Sequence, residues 1–161
     1  MSKYSDNIQT NESVLASSTD TKKAKLNFTT CTNCHMCKQS FFNTNSTFTS
    51  FVTGRKFFKS CKSSDQVTLN CRSSNVIYLI TCRKCSIQYV GMTTQQLNTR
   101  FGQHKRNILH HNLNTILVDH FNTEDHHTGH LSIEIIDYID EDVDDKSHKL
   151  LELEAYWMKT L

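Results

Sequence analysis

Cysteine spacing sets the first limit on how this chain can fold. Three thiols fall at Cys31-x-x-Cys34-x-x-Cys37, two more at Cys82-x-x-Cys85, and Cys61 and Cys71 stand singly. Two thiolates two residues apart can grip one zinc ion from a tight turn, because zinc takes sulfur ligands tetrahedrally. The composition makes such a staple useful. Apolar residues make up 37% of the 161, below the usual share of a globular domain. A core running the full length is therefore not expected, and metal is expected to order what apolar burial cannot. Structural zinc contributes about 10–16 kcal/mol of folding free energy in small fingers.

Each such site needs four ligands. For Cys82 and Cys85 the chosen partners are His120 and His126, with His127 and His130 as substitutes for His126. For Cys31, Cys34 and Cys37 the chosen fourth ligand is Cys71, which lies just before the first apolar strand; Cys61 and His35 are the alternatives. Six cysteines and two histidines then fill two sites and leave Cys61 over. An iron–sulfur cluster is a minor alternative.

Thiols clustered in this way read as metal ligands in a reducing compartment. No stretch approaches the roughly 20 apolar residues of a membrane span, and residues 1–26 lack the apolar core of a signal peptide. No membrane contact and a nuclear location are expected. The net charge of +2 decides little, but Lys22, Lys23, Lys25, Arg55, Lys56, Lys59, Lys62, Lys105 and Arg106 all precede an acidic run at 140–145. Such residues either contact phosphates or form a solvated surface.

Three stretches follow from the pattern. Residues 1–27 are polar and are expected to be a disordered tail. Residues 28–74 carry five cysteines and the pairs Phe41-Phe42 and Phe57-Phe58 with little periodicity, and read as a small irregular zinc-binding module. From residue 75 the pattern sharpens. Val76-Ile77-Tyr78-Leu79-Ile80 and Ile87-Gln88-Tyr89-Val90-Gly91 are apolar runs suited to an antiparallel hairpin. Thr94 is placed to cap a helix reaching about residue 110, with Leu97, Phe101, His104 and Ile108 on one face. A shorter helix over 114–121, a strand within 131–139 and a helical run from Leu150 to the end complete the order β-β-α-α-β-α. That order implies an α+β fold with helices packed on a three-stranded sheet.

Tyr78 and Tyr89 sit on the two hairpin strands, Arg100 and His104 lie four apart on one helix face, and Glu154 is in the last helix. A carboxylate to hold a hard divalent cation, a guanidinium to fork a phosphate and a phenol or imidazole to orient water are the parts needed to hydrolyse a phosphodiester. Each residue alone has an ordinary structural reading as core or surface.

The ordered set resembles the GIY-YIG nuclease signature: Val76-Ile77-Tyr78, ten residues, Tyr89-Val90-Gly91, then Thr93, Leu97, Arg100 and His104. The CxxC between the two halves is similar to the GIY-YIG endonucleases of Penelope-like retroelements. So are His120-Phe121-Asn122 with His126, Glu154-Ala-Tyr-Trp157 and the cysteine cluster ending at Cys71. The resemblance implies a GIY-YIG nuclease fold with a three-stranded antiparallel sheet over 75–161. It implies Tyr78 as general base and Tyr89 as a holder of water or phosphate. Gly91 would allow close backbone approach, Arg100 would bind the scissile phosphate and His104 would assist. Glu154 would hold magnesium or manganese beside one or two structural zinc ions.

The implied partners are DNA and a reverse transcriptase domain or its RNA template, with nicking serving target-primed reverse transcription. Val76 replaces the glycine of the first motif, and Met92 stands where some relatives have a lysine, so a second cationic contact is expected from Lys105. The family usually continues past the position of Leu161 into a short tail. With no reverse transcriptase in the sequence, an isolated domain, a fragment or a derived stand-alone gene is expected. Two other readings compete: a zinc-dependent nucleic-acid-binding module without catalysis, and a RING-like interaction module over 31–85.

Overall fold

The computed structural model describes residues 25–62, 65–112, 115–140 and 143–161. Most of the expected N-terminal tail lies outside them. Its last residues do not: strand β1 (Leu26–Thr29) already contains Leu26 and Asn27. It pairs in parallel with β4 (Val67–Asn70). Between them lie a one-turn helix α1 (His35–Lys38) and a hairpin of β2 (Thr47–Thr49) and β3 (Lys56–Phe58).

The central sheet has the order β6-β5-β7 and is antiparallel throughout. Strand β5 (Val76–Cys82) is its middle strand, between β6 (Gln88–Thr93) and β7 (Leu131–Tyr138). Both faces of β5 are covered, so its sequence is a continuous apolar run without alternation. Val76 to Leu79 are fully buried. Both hairpin strands run beyond the expected ends, and Cys82 closes β5 rather than sitting in the turn.

Helix α2 (Leu97–His110) follows β6. Its N-cap is Gln96, without a side-chain bond, so Thr94 does not cap it. The neighbouring Thr93 hydroxyl instead accepts the Gln95 N–H at 3.0 Å and shapes the entry turn. Helix α3 (Ile116–Phe121) starts two residues later than expected, because the Thr115 hydroxyl accepts the Val118 N–H and stops it there. Helix α4 (Lys146–Thr160) closes the order as anticipated. Among the described residues no helix is long and apolar enough to cross a membrane.

Period-two alternation sends Tyr78 and Ile80 to one face of the sheet and Ile77 and Leu79 to the other. The first face packs on Leu97, Phe101 and Ile108 of α2 and on Leu117 and Phe121 of α3, together with Met36, Phe41, Leu69 and Cys71. The second packs on Leu150, Leu153 and Trp157 of α4 and on Phe48 and Phe57 of the β2–β3 hairpin. Phe48 and Phe57 stack at 5.3 Å, and both meet Trp157 edge-on. The cysteine-bearing stretch therefore shares both cores with the rest of the chain. It even adds a rung to the sheet: Asn43 N–H donates to Ile133 O, and Ile133 N–H to Phe41 O, each at 2.8 Å.

One ion pair is built into this junction. The Lys59 ammonium lies 2.7 Å from Glu134 Oε2 with its side chain 0% exposed, and 4.6 Å from the Phe28 ring centroid. Burial pulls Lys59 down and pushes Glu134 up, and each partner opposes the other's shift.

Candidate active site and metal centres

The hairpin register sets Tyr78 directly across from Gly91. The hydroxyl end of the Tyr78 ring presses against that glycine: a Cβ built there would be 2.5 Å from both Tyr78 Cζ and its hydroxyl oxygen. Close approach was expected at Gly91, and the group that approaches is the phenol itself. Tyr78 is 0% exposed, and burial pushes its phenol up to about 12.

Helix α2 delivers two groups to that hydroxyl. His104 Nε2 is 2.7 Å from it, and Arg100 Nε donates to it at 3.3 Å. Burial, then repulsion from Arg100, pulls His104 down to about 4. The imidazole is therefore neutral near pH 7. Arg100 can only donate, so with Nε2 as the unprotonated nitrogen of that neutral ring the phenol's own proton is free to go to His104. Tyr89 joins the same face, its ring 6.1 Å from that of His104.

Glu154 arrives from the other side. Helix α4 covers the opposite face of the sheet, but β6 is an edge strand whose outward N–H groups have no strand partner among the described residues. Glu154 Oε1 takes one of them, the Met92 N–H, at 3.0 Å. The carboxylate thus sits at the rim of the sheet, next to Gly91. Its field reaches both phenols: it raises Tyr89, after burial, and adds a smaller push on Tyr78.

Beside this rim a cleft of about 230 Å³ is lined by Met92, Thr93, Thr94, Gln95, Arg100 and Gln103. Arg100 Nη1 donates to Gln103 Oε1 at 3.1 Å, and Gln103 Nε2 donates to Gln95 Oε1 at 3.0 Å. Sequence reasoning passed over these two amides. The spacing of Gln103, three residues after Arg100 on a helix, was the available signal. The Lys105 ammonium lies 4.8 Å from the Phe41 ring centroid.

Residues 74–161 match the GIY-YIG catalytic domain family. The chain belongs to the GIY-YIG family. A GIY-YIG domain is a metal-dependent nuclease domain, so this is a hydrolase whose substrate is DNA. No curated protein and no solved structure matches the chain. The two half-motifs of this GIY-YIG domain are the paired strands β5 and β6, and Val76 in place of the first glycine is buried without conflict.

A hard divalent cation binds through one or two carboxylates and completes its shell with water and phosphate oxygens. The GIY-YIG rim fits that demand. Met92 fixes Glu154 through Oε1 and leaves Oε2 for a cation.

The thiols form two further groups. Cys31, Cys34, Cys37 and Cys71 bring their sulfur atoms within 4.8 Å of one another, as do the donor atoms of Cys82, Cys85, His120 and His126. Zinc–sulfur bonds of about 2.3 Å give a tetrahedron with edges near 3.8 Å; Cys34 and Cys71 Sγ are 3.6 Å apart. The Cys34 N–H points at Cys31 Sγ and the Cys37 N–H at Cys34 Sγ, each at 3.4 Å. Such donors stabilise thiolate, and Cys31 is pulled down to about 6, first by the Cys34 N–H. Burial pushes Cys71 the other way.

In the second group Cys85 Sγ is 3.4 Å from His120 Nε2. His126 Nδ1 faces Thr123 Oγ1 and Glu124 O at 3.2 Å, while its Nε2 is buried without a partner. A buried lone pair aimed at two thiols fits a metal. The sequence alternatives lie elsewhere. His127 Nδ1 accepts the Gly129 N–H, and the rings of His127 and His130 face each other at 3.8 Å. Cys61 Sγ is 3.6 Å from the Tyr138 hydroxyl, and His35 stacks on Phe41.

Proposed function

We propose that this GIY-YIG domain is a metal-dependent DNA endonuclease that nicks one strand, as in Penelope-like retroelements, and so exposes a primer end for target-primed reverse transcription. On this reading it works in the nucleus with a reverse transcriptase domain or its RNA template. The observation that supports it best is the meeting of Arg100, His104 and Tyr78 at one hydroxyl beside the rim carboxylate of Glu154.

The roles follow from the chemistry of each group. Arg100 binds the scissile phosphate, and Gln103 and Gln95 hold its guanidinium in place. Magnesium or manganese on Glu154 would polarise the phosphate and stabilise the leaving oxygen. Tyr78 orients the attacking water and accepts its proton while passing the phenolic proton to His104. No free phenolate is needed, so a phenol pushed up to about 12 is no obstacle. Phosphate on Arg100 cancels part of the repulsion that holds His104 down, so the imidazole gains proton affinity once substrate is bound. Tyr89 helps to hold water or phosphate.

Both cysteine-bearing groups are proposed as structural zinc centres. The first ties residues 31–37 to the start of the nuclease core, and the second ties the hairpin turn to α3. Supercoiled plasmid incubated with the protein and Mg²⁺ or Mn²⁺ should relax, and Tyr78→Phe and Arg100→Ala should each slow relaxation strongly. DNA binding without cutting under any divalent ion would favour the non-catalytic nucleic-acid-binding module instead.

A further inference from the structure

The β2–β3 hairpin carries an exposed tip that the catalytic chemistry does not use. Phe51 is 58% exposed and Val52 85%. Arg55 and Lys56 lie just across the turn, both exposed, and neither has an ion-pair partner among the described residues. The tip is held firmly. Ser50 Oγ donates to Leu161 O at 2.8 Å and accepts the Thr53 N–H at 3.1 Å. Gln88 of β6 clamps the strand from both sides: it accepts the Phe51 N–H and donates to Thr49 O, each at 2.9 Å.

Beneath the hairpin runs a polar groove of about 470 Å³, lined among others by Asn43, Asn45, Lys56, Arg83 and Gln88. Among the described residues its one acid, Glu134, is neutralised by buried Lys59. The groove therefore offers amides and two cations with no free negative charge.

We infer that this hairpin and groove form a second DNA contact, with Lys56 and Arg83 on phosphates and Phe51 and Val52 against the sugars and bases of the flanking duplex. The inference rests on the endonuclease reading and adds a register to it. Gln88 and Met92 lie four residues apart on β6, so at about 3.4 Å per residue the clamp and the catalytic rim are roughly 14 Å apart along one edge. At about 3.4 Å per nucleotide step the tip contacts DNA about four base pairs from the cut. An apolar tip flanked by unpaired cations suits a polyanion with apolar groove walls better than it suits a protein surface.

The test uses the full chain carrying Glu154→Gln, so that binding is read without cutting, and a fluorescent 30-mer duplex titrated at several salt concentrations. Removing two phosphate contacts with Lys56→Ala/Arg83→Ala should lower the salt slope of log Kd by about 1.8. Phe51→Ser should weaken binding with the slope unchanged. A photo-crosslinking residue at Val52 in the cutting-competent chain should mark a nucleotide about four base pairs from the nick. These side chains are exposed, and zinc content checks that each variant is folded. Unchanged slope and Kd, in a parent that nicks, overturn the contact surface alone. Lost slope in a parent that never nicks keeps the surface and overturns the nuclease reading. A parent that binds no DNA overturns both.

Discussion

Replacing Gly91 by alanine would put a methyl group into the Tyr78 ring. The added carbon would lie 2.5 Å from Cζ and from the hydroxyl, and 2.8 Å from Cε2. Carbon atoms rest about 3.5–4.0 Å apart, so the ring must shift by about 1 Å. It has nowhere easy to go, since it is fully buried and its hydroxyl is held at 2.7 Å by His104. Overpacking of this kind costs about 1–3 kcal/mol, or about 2–4 °C of Tm per kcal/mol in a chain this long. The catalytic loss should be larger in proportion, because a displacement of about 1 Å at a reacting group costs on the order of 10²-fold in rate. Plasmid nicking well below Tm, with thermal unfolding alongside, separates the two effects. In a Tyr78→Phe background the same change should cost little further rate, because the hydroxyl it displaces is already gone. A Gly91→Ala protein that nicks at the parental rate would refute the placement of the Tyr78 hydroxyl in the chemistry.

Further outcomes are expected. Glu154→Gln should abolish nicking in Mg²⁺ while DNA binding persists, and an active Glu154→Ala would remove the metal role. Metal analysis should find two zinc ions per chain, one for each donor group; Cys34→Ser should lose one, and chelation should unfold at least the N-terminal half. His104 is held down to about 4 from its usual 6.5. Its contribution is thus fully present above the unfolded value and is lost as pH falls from about 6.5 towards 4, up to about 3 kcal/mol. His104→Phe should flatten that part of the acid limb in urea titrations. Lys59→Met should cost about 3–5 kcal/mol by leaving Glu134 buried and alone, and adding Glu134→Leu should restore most of it.

The nuclease half was legible because its signals are local and periodic. The run Val76–Ile80, the spacing of Arg100 and His104 and the candidate ligands Cys82, Cys85, His120 and His126 can all be read along the chain, and the structure brings each group together. The N-terminal stretch was not legible in the same way. Leu26–Thr29 and Val67–Asn70 pair in parallel across a long separation, and four-residue strands carry too little alternation to announce such a partner. Phe48 and Phe57 find Trp157 about 100 residues away, which no local pattern encodes. Nothing in the local pattern marks Lys59 or Glu134 for burial, because only the tertiary fold brings them together. Gln95 and Gln103 gain a role only through the tertiary contact that sets Arg100 between Gln103 and the phenol.

The central claim is that one divalent ion sits at the edge of β6, between the Glu154 carboxylate and the Tyr78–Arg100–His104 group. Anomalous diffraction from crystals soaked in Mn²⁺ with a DNA duplex tests this directly. The account predicts a manganese peak at the Glu154 carboxylate and a phosphate held by Arg100. A fully occupied manganese site away from Glu154, with the phosphate not touching Arg100, would contradict it.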